Sequence, residues 1–212
     1  NFEPTEDIKS ITIHHLLSMT YGFIDKEIQD FYLKDDWINE AFSLKLQTKN
    51  TESRTKLLNR DIAVVETLFA TGIRISELCN LPQKNIDLEQ GIFCIKGKGN
   101  KERYLQIGTV QVIKQLQEYN NQWKDELSQT EFFFLNRYGE RYSEQSARRM
   151  VRRYAEHAMI DLHVTPHMFR HAFATLLLEE EVDIRFIQKM LGHASITTTQ
   201  IYAEVASKKQ ME

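Results

Sequence analysis

Two short blocks near the C-terminal end of this chain hold the residues best suited to chemistry at a phosphate. The first is Thr165-Pro166-His167-Met168-Phe169-Arg170-His171, and the second runs from Leu191-Gly192-His193 to Tyr202. Threonine before proline is a helix start, with the threonine as N-cap and the proline at the first helical position, so a helix is expected through Met168 to Leu178. The three-residue spacing puts His167 and Arg170 on one face of its first turn, where unpaired N–H groups and the positive end of the helix dipole favour an anion. A second helix is expected from Asp183 to Met190, stopped at Leu191-Gly192, with His193 just beyond the stop. Thr197-x-x-Gln200 has the form of a capping box and predicts a third helix carrying Tyr202. A His/Arg pair, a histidine at a helix stop and a tyrosine at the next start are what phosphoryl transfer with a tyrosine nucleophile needs.

Upstream elements must hold this cluster in place. Asp61 is expected to cap a helix through Val65, Leu68 and Phe69 that ends at Gly72, and Arg74 follows with Glu77 three residues on. Alone, that pair reads as an ordinary surface ion pair of little energetic weight. Ile92 to Ile95 and Tyr104 to Ile107 predict a β-hairpin around a Gly- and Asn-rich turn bearing Lys96, Lys98 and Lys101. Val110, Ile113 and Leu116 mark an amphipathic helix, and Glu131 to Leu135 a buried strand or core segment whose aromatics are assigned to the core rather than to base stacking. Ser143 opens a helix with Arg148, Arg149, Arg152 and Arg153 on one side. Those cations suit a phosphate backbone, or else form a solvated face paired with Glu144 and Glu156, and both readings stand. The expected fold is mainly α with a small antiparallel hairpin, an α+β class.

Composition sets the frame. The 212 residues are 42% hydrophobic and 27% charged, as in ordinary globular proteins. No apolar run spans a bilayer and no signal-peptide pattern opens the chain, so a cytoplasmic location without membrane contact is expected. Cys79 and Cys94 form no ligand or disulfide pattern. His167 and His171 lack the intervening glutamate of a zinc protease, no acidic cluster suits a metal, and His14, His15, His157 and His163 are assigned structural roles. The net charge of −3 argues, taken whole, against nucleic acid. Residues 1–52, however, hold 5 Lys/Arg against 10 Asp/Glu, which leaves 22 against 20 for the rest, so the acidity is local.

The first 52 residues read as an acidic helical part. Ile8, Ile11, Leu16 and Leu17, then Ile24, Ile28 and Phe31, then Trp37, Ile38, Ala41 and Phe42 recur at helical spacing, while Gln47 to Thr55 is polar and reads as a linker or mobile loop.

Taken together, His167-x-x-Arg170-His171, Leu191-Gly192-His193, Tyr202, the block Ala70 to Leu78 and the stretch Lys96 to Arg103 resemble the motifs of the phage integrase family, the tyrosine recombinases, in their Xer-like wording. The resemblance covers roughly Asp61 to Ala206. It implies the catalytic-domain fold of that family, with Arg74 and Arg170 holding the scissile phosphate, His193 donating to it, His167 accepting the proton of Tyr202, Lys98 protonating the leaving oxygen and Glu77 supporting the site from behind. The choice of Lys98 among the hairpin lysines rests on the resemblance alone.

The same resemblance implies a site-specific recombinase or mobile-element integrase that joins DNA through a 3′-phosphotyrosyl intermediate. Fixed cations would stand where many nucleases use Mg²⁺, no phosphate-binding GxxxxGK[ST] loop is present, and neither cofactor, metal nor ATP is expected. Double-stranded DNA, a tetramer of the chain on that DNA and accessory DNA-bending proteins are the expected partners. The implied organisation is an N-terminal part of the catalytic domain at 1–52, with an insertion near 21–50 that departs from the family, and a catalytic core at 53–212 with a C-terminal tail, without the family's separate DNA-gripping N-terminal domain. Type IB topoisomerase-like relaxation of DNA and a non-catalytic DNA-binding module are the alternatives.

Overall fold

The computed structural model describes residues 52–97, 102–157, 160 and 163–192. The acidic segment 1–51, the hairpin turn bearing Lys98, and the C-terminal stretch bearing His193 and Tyr202 lie outside the described residues, as does the capping box at Thr197.

Helix α1, Glu52–Thr71, is the central element and packs against α3 (Val110–Gln122), α5 (Glu144–His157) and α6 (Pro166–Glu179). Its inward side places Ala63, Val64 and Leu68 in the core, beside Phe133, Phe134 and Leu116. The helix stops where Gly72 takes a left-handed φ of +58° and its N–H returns to the Leu68 carbonyl at 3.0 Å. Two sequence-based expectations fail here. Residues 52–55 are helical rather than linker, and Asp61 lies in the middle of the helix instead of capping it. Asp61 is buried, and its carboxylate accepts from Arg60, from Tyr154 Oη at 2.9 Å and from Arg153 at 3.3 Å. A buried carboxylate with three such donors has no need of a helix N-terminus.

Short helix α2 (Ile75–Cys79) leads into an antiparallel sheet of β1 (Ile86–Asp87), β2 (Ile92–Lys96) and β3 (Glu102–Gln106). The expected hairpin is β2–β3, with Phe93 opposite Leu105 and Ile95 opposite Arg103. Alternation buries Phe93, Ile95 and Leu105 on one face. The segment from Glu131 to Leu135 is an irregular core segment rather than a strand, tied to the Pro82 region by an isolated bridge at Phe132. Tyr119 lies against Phe133 and Phe134 and donates its hydroxyl to the Phe133 carbonyl, which accounts for the core assignment of these aromatics.

After the small helix α4 (Lys124–Leu127), α5 begins behind Ser143, whose Oγ accepts the N–H of Ser146 at 3.1 Å. Helix α7 (Ile184–Leu191) is capped by Asp183, which accepts the Arg185 N–H at 2.7 Å, and closes on Gly192 at φ +64°. Start and stop both match the expectation. Cys79 and Cys94 are free thiols, and burial pushes Cys79 up to about 12. No helix among the described residues is long and apolar enough to cross a membrane.

Candidate active site

Helix α6 starts as its sequence dictates, with Thr165 extended at the N-cap and Pro166 in the first turn. His167 is exposed at this end, whereas Arg170 points inward and is 2% exposed. The Arg170 guanidinium donates from Nη1 to the Gly72 carbonyl at 2.7 Å and from Nη2 to the Leu191 carbonyl at 2.6 Å. Both acceptors lie at helix stops, where carbonyls have lost their intrahelical donors, and at Leu191 the helix dipole adds negative charge. Arg170 therefore pins the end of α1 to the end of α7.

Arg74 comes directly after the α1 stop as the N-cap of α2. Its Nη1 donates to the Leu191 carbonyl at 3.3 Å and its Nη2 to the Gly192 carbonyl at 3.0 Å, so both arginines meet at the end of α7. Glu77 accepts from Arg74 twice, at 3.0 Å from the backbone N–H and at 3.0 Å from Nη1. With its side chain 34% exposed, Arg74 is the guanidinium of the two that reaches solvent.

A third arginine completes the cluster, one to which the sequence motifs assign no role. Arg103 on β3 forms a two-pronged ion pair with Glu77, at 3.0 and 2.6 Å, and donates from Nε to the Met190 carbonyl at 2.8 Å. Burial alone would push the Glu77 carboxyl up, but the hydrogen bonds and charge of Arg103 and then of Arg74 outweigh it and hold the group below the usual carboxylate range. Carbonyls of Met190, Leu191 and Gly192 thus accept from Arg103, Arg170 and Arg74 in turn, immediately before His193 in sequence. In the sequence Arg103 closes the motif-matching stretch Lys96 to Arg103, which assigns a role only to Lys98.

The four-arginine side of α5 resolves into different environments. Arg148 pairs with Glu144 at 2.8 Å and Arg152 with Glu156 at 2.7 Å on the surface. Arg153 reaches Asp61 on α1, and Arg149 donates weakly to Ser146 Oγ at 3.4 Å. In the hairpin, Lys96 pairs with Glu102 at 3.5 Å. His171 is half-buried, and burial lowers its pKa, favouring the neutral imidazole.

The described residues thus form a mostly helical fold with a three-stranded antiparallel sheet and three arginines gathered at one helix stop. The phage integrase family model matches residues 38–209, and the chain belongs to that family, the tyrosine recombinases. A tyrosine recombinase of Agathobacter rectalis is 50% identical over 180 residues, which are 83% of this chain and 59% of that protein. Tyrosine recombinase XerC of Oceanobacillus iheyensis is 42% identical over 156 residues, 71% of this chain and 51% of that one. Among solved structures, XerA recombinase aligns with a TM-score of 0.63 at 35% identity, over 80% of this chain and 58% of that chain. The pre-cleavage complex of XerH site-specific recombinase with its difH substrate aligns with a TM-score of 0.66 at 27% identity, over 79% of this chain and 47% of that chain. The chain spans about half to three-fifths of the length of these relatives.

Proposed function

We propose that this chain is the catalytic region of a site-specific DNA recombinase that cuts and rejoins strands through a 3′-phosphotyrosyl intermediate, serving integration or excision of a mobile element. The observation that carries the reading is the meeting of Arg74 and Arg170 at the Leu191 carbonyl, which keeps two guanidiniums adjacent although their backbones stand at different helix ends. Arg74, partly open to solvent, is a fixed, always-charged donor suited to a nonbridging oxygen of a phosphodiester. The buried Arg170 adjoining it at the Leu191 carbonyl adds its charge against the negative charge that builds during in-line displacement.

An unperturbed phenol has a pKa of ~10, so about one Tyr202 in a thousand is ionised at neutral pH and the nucleophile needs a proton acceptor. In this reading Tyr202 Oη attacks phosphorus, its proton passes to His167, and the bond to the 5′ oxygen breaks as Lys98 delivers a proton to it. His193 donates to a nonbridging oxygen. The products are a 3′-phosphotyrosyl bond and a 5′-hydroxyl. The 5′-hydroxyl of a partner duplex then reverses the step, so the phosphoester energy is conserved without ATP. Exchange of both strands of two duplexes needs four such sites, hence assembly of four copies on DNA.

The test is to incubate the protein with two differently labelled duplexes bearing its target sites, and separately with a supercoiled plasmid lacking them. Recombinant duplexes from the first and an unchanged plasmid from the second are expected. Relaxation of the plasmid without exchange would identify a topoisomerase-like activity instead.

A further inference from the structure

We propose that Arg103 is a positioning residue for the reaction, fixing Arg74 through the Glu77 carboxylate that the two arginines share. The inference rests on the proposed function and names a residue to which the motifs assign no role. Each oxygen of Glu77 is divided between the two arginines. Oε1 takes Arg74 Nη1 and Arg103 Nη1, both at 3.0 Å, while Oε2 takes the Arg74 N–H at 3.0 Å and Arg103 Nη2 at 2.6 Å. A carboxylate gripped by a planar fork on one side has its orientation set by that fork, and the arginine on its other side follows.

The fork is itself held. Arg103 Nε is tied to the Met190 carbonyl, and both Arg103 and Glu77 have side chains only 10% exposed. Gly192 lies against it so closely that an added Cβ would stand 3.2 Å from Arg103 Nη1. The strand β3, the helix α2 and the stop of α7 are therefore registered to one another through a single guanidinium. Lysine, with a point charge and no fork, cannot reproduce three directed bonds to three acceptors.

An ordinary buried ion pair would give the same contacts, so the test must separate positioning from stability. Arg74 would act on the negative charge of the nonbridging oxygens, and a methylphosphonate at the scissile position removes that charge. Covalent adduct formation is measured on phosphodiester and methylphosphonate versions of one nicked duplex, with thermal melting and noncovalent DNA affinity as controls. Arg103→Ala is expected to slow the phosphodiester reaction by about 10- to 100-fold, the usual cost of losing an orienting outer partner. On the methylphosphonate the loss should shrink to less than about threefold, because the electrostatic contribution being lost is the one that substrate no longer draws on. Arg74→Ala should show the same contrast. If Arg103→Ala does not melt cooperatively, Arg103→Lys carries the comparison with the same expectation.

Equal losses on the two substrates, or no loss on either, with Arg74→Ala still showing the contrast, would overturn the role of Arg103 alone. Equal losses for Arg74→Ala would overturn its phosphate assignment and this inference together. Absence of adduct from the unsubstituted protein on both substrates would overturn the proposed function itself.

Discussion

Arg170 and Arg74 donate to one and the same atom, the carbonyl oxygen of Leu191, at 2.6 and 3.3 Å. The oxygen belongs to the last residue of helix α7, so the element that leads into His193 is fastened by the two arginines assigned to the phosphate. Their burial separates their roles. Arg170, almost fully buried, links helix ends, while Arg74 is partly open to solvent.

Arg170→Ala should therefore cost stability as well as activity. It strands the Gly72 carbonyl and leaves the Leu191 carbonyl only the longer 3.3 Å bond from Arg74, and an orphaned buried acceptor costs about 1–3 kcal/mol. Arg74→Ala removes a partly exposed side chain, with an expected stability loss of about 1 kcal/mol or less and a fall in strand cleavage of roughly 10²- to 10³-fold. Denaturant midpoints and adduct rates on both variants check this; similar stability losses for the two would contradict the division.

Gly72→Ala tests the frame from the other side. Gly72 has a left-handed φ, an added Cβ would come within 2.6 Å of Phe173 Cδ1, and its carbonyl accepts from Arg170. Strain of about 1–3 kcal/mol is expected, measurable by denaturant unfolding, together with a fall in cleavage as Arg170 loses its seat.

Glu77 carries a pH signature. Because its folded pKa lies below the ordinary glutamate value near 4.5, the folded state favours the carboxylate. Its contribution to stability is thus fully present above about 4.5 and is lost as pH falls through the lower folded value. Glu77→Gln should melt below the unsubstituted protein at pH 7, and the gap should narrow in acid below about pH 4.5. A gap that widens on acidification would reverse the sign.

Glu66 has the opposite sign. It lines a largely apolar cavity of about 500 Å³ with Phe69, Phe173 and Leu177, and burial raises its pKa. The folded state holds this proton more tightly than the unfolded chain, so stability declines as pH rises from about 4.5 through the folded value and stays lowered at pH 7. Glu66→Gln should raise the melting temperature at pH 7, each kcal/mol being worth about 2–4 °C in a chain of this size, and the gain should fade in acid. Calorimetry at two pH values measures both.

Local chemistry made much of this legible. Thr165-Pro166, Asp183 and the two glycines Gly72 and Gly192 fixed helix starts and stops from sequence because caps depend on a few adjacent residues. The hairpin followed from two short β-prone runs around a Gly- and Asn-rich turn. Asp61 was misread for the same reason: a carboxylate near an apolar run looks like a cap, and only the fold shows that Arg153 and Tyr154 arrive from a distant helix to satisfy it. Arg103 was hidden similarly, since its partner Glu77 stands 26 residues away and neither spacing nor periodicity joins a strand to a helix turn. The pairing of Arg74 and Arg170 on one carbonyl was likewise invisible, although their family roles were suggested by the motifs.

Tyrosine-mediated cleavage is tested most directly by a denaturing gel, run after incubation in EDTA, of the protein and of Tyr202→Phe with labelled nicked duplexes carrying its target site. The expected result is a slow-migrating adduct joined to the 3′ end of the cut strand with the unsubstituted protein and none with Tyr202→Phe, while both bind the duplex with similar affinity. An adduct that persists in Tyr202→Phe, or no adduct with either protein despite tight binding, would contradict the assignment of Tyr202 as the nucleophile.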